Sequence, residues 1–205
     1  MLEDQSGKPY HVFCDFDSEK DIAWTLVESF SMNNVALLRP FSFTKDHPLN
    51  ETNVNWDLFR LSKTTMKDIS SRSTFWRGTC SYSIYGVDFR DYIRVRVSVL
   101  DPTVFIGDAT YDSKSCVQID FLDVKGTRCL NCTTTIFQLD NQMLHVAFFW
   151  GRQFHGCNFD SSNVEYMCGN ERARWLGVYW PCSDPSYRCT MTPSSTTQIW
   201  FGELK

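Results

Sequence analysis

The sequence predicts an α+β fold, mainly antiparallel sheet with few short helices, and a loop-rich, disulfide-stapled C-terminal third. Three observations predict it. Several short runs alternate apolar and polar residues, one segment has a helical apolar pattern, and four cysteines follow Gly151 in a stretch rich in Gly, Asn, Asp and Ser. With 42% hydrophobic and 15% aromatic residues, a 205-residue chain can bury its own core. No linker composition interrupts it, so we interpret residues 1–205 as a single domain.

The strand predictions rest on period-two alternation. Residues 92–99 alternate apolar side chains with polar or tyrosine side chains, so we expect one face of this strand to be buried and the other to face solvent. The apolar positions are Ile93, Val95, Val97 and Val99. Residues 117–124 alternate in the same way and end at a Lys-Gly turn. Shorter runs at 10–16, 24–30, 133–139 and 144–150 predict further strands.

The helix prediction falls on residues 55–69. An approximate apolar stripe runs through this segment, and Asn55 or Asp57 is available as an N-terminal cap. The stripe consists of Trp56, Phe59, Leu61, Met66 and Ile69. We expect one or two short helices at most.

Charge and motifs exclude several function classes. The net charge is −4 and no window concentrates Lys and Arg, so nucleic acid is not an expected partner. The longest apolar run, residues 143–150, is too short to span a membrane. The four histidines lie in no nucleophile, zinc-protease or phosphate-binding motif, so we expect a protein that is not an enzyme.

Cysteines and sequons indicate the secretory route. Nine cysteines are many for a cytosolic chain of this size, and Asn50 and Asn131 each begin an N-x-Thr glycosylation sequon. We therefore expect a secreted, extracellular glycoprotein. The N-terminus has no apolar signal region, which leads us to expect a chain cut from a longer secreted protein.

Several segments resemble fibrinogen C-terminal-like domains. Residues 7–16, GKPYHVFCDF, followed by WTLV at 24–27, are similar to the family's opening V-Y-C-D strand and W-T strand. Residues 55–62, 73–80 and 199–202 are similar to segments of invertebrate fibrinogen-related secreted proteins. The resemblance implies the family's fold and an extracellular recognition module that binds glycans or protein ligands. A structural adhesion or extracellular-matrix module that binds protein partners, and that could form oligomers through the rest of the parent chain, is the alternative.

The resemblance also implies a ligand pocket downstream of Cys168. Matching the family position by position places it at Asn170, Glu171, Arg172, Arg174, Trp175 and Tyr179. Aromatic faces stack on sugar rings while Asn, Glu and Arg bind hydroxyl or acetyl oxygens. The plainer interpretation is that these aromatic residues are core. Two departures limit the resemblance: residues 17–23 replace a Gly-rich turn, and residues 148–156 contain no Asp or Glu, so we carry over neither a calcium site nor any other metal or cofactor.

The odd cysteine count is interpreted through the same resemblance. Cys14 matches a family cysteine whose partner lies upstream, so we expect it to be unpaired here; a buried free thiol and an intermolecular bridge are the alternatives. Cys157 and Cys168 match the family's C-terminal pair, and Cys182 and Cys189 could close a turn. The remaining four, expected to be disulfide-bonded in an order that spacing leaves open, are Cys80, Cys116, Cys129 and Cys132. The C-x-x-C spacing of the last two also fits half a zinc site or a redox motif, but no second close pair or thioredoxin-like context accompanies it.

Overall fold

Fifteen strands and three short α-helices are found among the residues that the structure, a computed structural model, describes: 2–3, 9–108, 116–146, 157–159, 167–168, 171–172 and 181–205. The strands are β1 (Leu2–Glu3), β2 (Pro9–Tyr10), β3 (Cys14–Asp15), β4 (Ile22–Ser31), β5 (Leu58–Arg60), β6 (Phe75–Cys80), β7 (Tyr92–Arg96), β8 (Gly107–Asp108), β9 (Val117–Val124), β10 (Thr127–Thr134), β11 (Ile136–Leu139), β12 (Gln142–Val146), β13 (Met167–Cys168), β14 (Glu171–Arg172) and β15 (Thr196–Leu204). The helices are α1 (Val35–Leu38), which follows a 3₁₀ turn at Met32–Asn34, α2 (Lys63–Arg72) and α3 (Tyr82–Tyr85).

An eight-stranded antiparallel sheet forms the centre of the fold. Its order is β10-β9-β7-β6-β15-β4-β3, and β5 also pairs with β4. A three-stranded sheet, β12-β11-β8, and two small hairpins, β1-β2 and β13-β14, complete the described pairing. All of these pairs are antiparallel, which confirms the predicted α+β class with mainly antiparallel sheet and few short helices.

The alternating runs became strands, with some changes of boundary. β9 has the predicted bounds, and it turns into β10 through Lys125 and Gly126, whose φ angles are 54° and 85°. Residues 24–30 lie within β4. The predicted strand 92–99 ends at Arg96, because the amides of Val99 and Leu100 turn back onto the Arg96 carbonyl at 3.0 and 3.1 Å.

Three other predicted runs were divided. Residues 10–16 contain the end of β2 and all of β3, and residues 133–139 are shared by β10 and β11, which belong to different sheets. Of residues 144–150, the first three lie in β12, and 147–150 are outside the described residues.

The helix predicted at 55–69 is wrong in its first half. The helix α2 begins after Ser62, whose Oγ accepts a hydrogen bond from the Thr65 amide at 3.3 Å. Before it, Leu58–Arg60 is the strand β5, paired with β4. The error has a physical cause: Arg60 is fully buried and forms an ion pair with Glu28 of β4, which fixes this segment in an extended form. No helix of the described residues is long and apolar enough to cross a membrane.

The central strand β15 shows no alternation of buried and exposed residues from 196 to 202, so period-two patterning could not predict it. Residues 196–202 are buried on both faces, and Trp200 and Phe201 are adjacent members of the hydrophobic core. Gly202 allows a close approach here, since a Cβ at that position would lie 2.7 Å from the Trp24 ring.

The pairing of Cys157 with Cys168 is wrong. Cys157 is bonded to Cys116, which precedes β9, with 5.5 Å between their Cα atoms. The neighbouring Asn158 and Phe159 explain this link, because their amides donate to the Thr133 hydroxyl and carbonyl, holding the segment against the β9–β10 hairpin.

The pairing of Cys182 with Cys189 is also wrong. Cys189 is bonded to Cys80, 109 residues away in sequence and 4.6 Å away in Cα position. The sheet brings these residues together, because Cys80 is paired with Thr197 of β15 and Cys189 lies just before that strand. Cys182 is disulfide-bonded too.

The C-x-x-C pair forms a disulfide, and Cys14 is a free thiol. Cys129 and Cys132 are bonded within the outermost strand β10. Cys14 lies half-buried in β3, and burial raises the pKa of its thiol. A raised pKa leaves less thiolate at neutral pH and therefore a less reactive cysteine.

Candidate functional site

The predicted ligand pocket falls mostly outside the described residues. Asn170, Arg174, Trp175 and Tyr179 are among the residues that the structure does not describe. Glu171–Arg172 forms β14, which pairs with β13 in a short hairpin. Described segments that precede and follow this region form a different candidate site.

A surface around α3 combines exposed apolar side chains with a rigid support. We call it the α3 surface and define it by Ile84, Tyr85, Asp88, Arg188 and Met191. Ile84 is 72% exposed, Tyr85 39% and Met191 36%, although all three are large apolar or aromatic side chains. Such side chains at the surface mark interaction sites when they are clustered and rimmed by polar groups.

The start of α3 is fixed by the central sheet. Ser81, which follows β6, has a φ of 49°, a left-handed conformation that is uncommon for serine. Two hydrogen bonds hold it there: its backbone amide donates to the Thr196 carbonyl at 2.7 Å, and its hydroxyl donates to the Arg188 carbonyl at 2.9 Å. The next amide, of Tyr82, donates to the buried Gln198 side chain at 3.1 Å.

Tyr82, the first residue of α3, packs against the hydrophobic core. The centre of its ring lies 4.7 Å from that of Trp200 and 5.7 Å from that of Trp56. Burial and the neighbouring Asp15 carboxylate raise the pKa of Tyr82 to about 12, so the phenol stays neutral. Tyr82 is thus partly buried against the core, whereas Ile84 and Tyr85 of the same one-turn helix are exposed.

The return from α3 to the sheet is also conformationally unusual. Phe89 and Asp91 have φ angles of 62° and 51°. For a bulky residue such as Phe89 this conformation costs energy, and packing offsets it: the ring lies 5.2 Å from Tyr92 and 5.6 Å from Phe121. Strained backbone of this kind is concentrated at functional segments.

Asp91 ties three segments together beneath the surface. Its buried carboxylate accepts the Lys125 amide at 2.6 Å and the Arg188 amide at 3.1 Å, and its own amide donates to Asp123 at 3.0 Å. Burial raises the pKa of Asp91 despite these hydrogen bonds. The segment from residue 184 to 191 is thereby joined to the chain on both sides of α3: by Asp91 after the helix and by the Cys80–Cys189 disulfide before it.

Arg188 organises the exposed side. It makes a two-pronged ion pair with Asp88, at 2.6 and 2.8 Å, and its guanidinium lies 4.3 Å from the centre of the Tyr85 ring. The hydrogen bonds from Arg188 lower the pKa of Asp88, and the same bonds raise the pKa of Arg188. The Tyr85 hydroxyl contacts the Met191 sulfur at 3.6 Å. These contacts hold the side chains of Arg188, Asp88, Tyr85 and Met191 together.

A second charged cluster lies inside the protein, around Arg77. This fully buried guanidinium bonds to Asp15 at 2.6 Å and to Glu19 at 2.9 Å, and it lies between the Trp24 and Trp200 rings, at 4.4 and 4.8 Å from their centres. Glu19 also accepts from the Tyr92 hydroxyl at 2.6 Å. These carboxylates are buried and occupied by donors, so the cluster attaches the 15–19 loop to the sheet and offers no reactive group.

The α3 surface presents apolar side chains around one ion pair. Its charged groups, Asp88 and Arg188, neutralise each other, and it contains no nucleophile beside a base. Among the described residues, no group of three His, Cys, Asp or Glu side chains is arranged to hold a metal ion. Sequence reasoning missed this surface, since a Tyr-Ser-Ile-Tyr-Gly segment is informative only once Cys80 is known to bind Cys189.

Comparison with known proteins adds no assignment: the chain matches no family model, no curated protein and no solved structure. The fibrinogen-like resemblance therefore stays a prediction from the sequence.

Proposed function

We propose that this chain is an extracellular recognition module that binds a protein ligand through the α3 surface. The observation that carries the proposal is the exposure of Ile84, Tyr85 and Met191 beside the Arg188–Asp88 pair, with Tyr85 held against Arg188 and Met191. Tyr and Arg are the residue types that most often dominate binding energy at protein interfaces. Side chains that are already ordered lose less conformational entropy on binding.

A protein ligand fits this surface better than a glycan. A saccharide needs free hydrogen-bonding groups beside an aromatic face, whereas Arg188 and Asp88 are bonded to each other and one face of Tyr85 is covered by the guanidinium. Ile84 and Met191 offer apolar area, which suits a protein partner. The disulfides are typical of an oxidising compartment and support an extracellular location.

The test is a binding screen with matched variants. The purified chain is screened against a panel of extracellular protein ectodomains and against a glycan array. Each ligand found is then measured with Ile84→Glu and Tyr85→Ala, and with Val104→Glu as the control. Val104 is 60% exposed. It follows the C-terminal end of β7, whereas α3 and Asp91 precede the N-terminal end of that strand.

We expect a protein ligand whose affinity falls at least about thirtyfold in both α3 variants, which corresponds to the loss of about 2 kcal/mol that marks an interface hot spot, and is unchanged in the control. Binding that survives both α3 variants would show that recognition occurs elsewhere. Binding to saccharides alone would return the proposal to the lectin-like interpretation, and concentration-dependent self-association lost in the same variants would favour an adhesion module.

A further inference from the structure

We infer that Asn131 is an N-glycan acceptor whose modification is limited by closure of the Cys129–Cys132 disulfide. Asn131 begins the sequon Asn-Cys-Thr, so the central residue of its sequon is itself a disulfide cysteine. The inference rests on the secretory route of the proposed function, but not on the α3 surface.

The disulfide places Asn131 inside a four-residue ring. Its side chain is exposed on the outermost strand β10, and its φ is 47°, a left-handed conformation inside a strand. On either side of it, Leu130 and Cys132 stay paired with Phe121 and Ile119 of β9. The backbone on which a transferase would act is therefore held in one shape.

The third residue of the sequon is occupied as well. The Thr133 hydroxyl donates to the Asn158 side chain at 2.8 Å and accepts the Asn158 amide at 2.9 Å. Since N-glycosylation requires a hydroxyl residue at this position, the folded segment withholds the group that defines the sequon. The neighbouring Cys157 is bonded to Cys116, which fixes Asn158 in place.

Two covalent reactions compete for the newly made segment. In glycosylation, the Asn131 amide nitrogen loses a proton and bonds to C1 of an oligosaccharide carried on a polyprenyl diphosphate, which leaves as the diphosphate anion. In disulfide formation, the thiols of Cys129 and Cys132 lose two protons and two electrons to the disulfide of a protein oxidant, which is reduced to two thiols. The second reaction closes a ring between residues three apart, so it needs no distant strand to have folded.

Asn50 provides an internal control. It is exposed and has a similar φ, 50°, but its sequon, Asn-Glu-Thr, contains no cysteine. In the folded chain its side-chain amide donates to the Leu58 carbonyl at 2.7 Å, a contact that forms only when β5 approaches. Modification of Asn50 is thus independent of the Cys129–Cys132 bond.

The experiment measures glycan occupancy at both sites. The whole chain is expressed behind a secretory signal in insect cells as wild type, Cys129→Ser and Cys129→Ser/Cys132→Ser, and glycopeptides are quantified by mass spectrometry. The first variant leaves the sequon unchanged; the second removes the remaining thiol, which excludes mispairing of Cys132 as the cause. Occupancy is also measured for nascent chains pulse-labelled with and without dithiothreitol, so that variants that fold poorly are still informative.

We expect partial occupancy of Asn131 in wild type, a rise to the level of Asn50 in both variants, and the same rise with dithiothreitol in wild type only. Asn50 should not change. Equal occupancy of Asn131 in wild type and both variants, whether complete or absent, would overturn the inference, as would an equal rise at Asn50.

Discussion

Replacing Arg77 with methionine should destabilise the protein strongly, because this residue joins the 15–19 loop to the centre of the sheet. Its guanidinium is fully buried, and it donates to Asp15 at 2.6 Å and to Glu19 and Ser18 at 2.9 Å. Methionine keeps much of the side-chain volume between the two tryptophan rings but removes the charge and all of these donors.

The expected loss in the free energy of unfolding depends on the hydrogen-bond donors that Asp15 and Glu19 keep in the variant. Removing one partner of a buried ion pair costs about 3–5 kcal/mol. Glu19 retains Arg94 and Tyr92, both at 2.6 Å, and Asp15 retains the hydroxyls of Ser18 and Tyr82 and two nearby amides. We therefore expect the lower end, about 3 kcal/mol. With a urea dependence of about 2 kcal/mol per molar, the unfolding midpoint should fall by about 1.5 M.

The assay is urea unfolding, with Arg96→Met as the matched control. Arg96 is 52% exposed and lies 3.5 Å from Asp120, so its loss should cost no more than about 1 kcal/mol. An Arg77→Met midpoint within error of the control would refute the reasoning.

Acid titration supplies a second reading of the same variant. Burial opposes ionisation of Asp15, but hydrogen bonds from Ser18 and Arg77 outweigh it and hold its pKa below the ordinary value. A depressed pKa contributes stability above the unfolded pKa, about 3.9, and that stability is lost as the pH falls below it. The stability gap between wild type and Arg77→Met should therefore shrink from pH 5 towards pH 2, and a constant gap would contradict the assigned pairing.

Three other perturbations test separate parts of the fold. Gly202→Ala should lower stability by about 1–3 kcal/mol, since the new methyl would lie 2.7 Å from the Trp24 ring; an unchanged urea midpoint would contradict that contact. Burial, with a smaller effect of Arg60, lowers the pKa of His47, so wild-type stability should fall as the pH drops below about 6.5, and His47→Gln should lack this dependence. Replacing both cysteines of the Cys80–Cys189 disulfide with Ala should lower the free energy of unfolding by about 4.7 kcal/mol. The same replacement at Cys129 and Cys132 should lower it by only about 2 kcal/mol, because loop-closure entropy grows with the length of the closed loop. Equal losses in calorimetry would argue against that entropic account.

Sequence patterns were most informative where structure depends on neighbours in the chain. The strand β9 and its Lys125-Gly126 turn were predicted at the observed bounds, because alternation and turn chemistry are local properties. They were misleading at residues 55–61, where Phe59 and Leu61 fit a helical stripe but Phe59 lies on the strand β5 and Leu61 lies between β5 and α2. The partner that decides this, Glu28, is 32 residues from Arg60.

The sequence by itself determined the α+β class, the largely antiparallel sheet and the disulfide chemistry, because these follow from periodicity and composition. Only the tertiary structure decided the disulfide partners and the α3 surface. Cys80 and Cys189 are 109 residues apart, and they meet because β15 lies beside β6 at the centre of the sheet. The same pairing brings Arg188 onto Tyr85, so the candidate site depends on contacts between distant segments that no local pattern records.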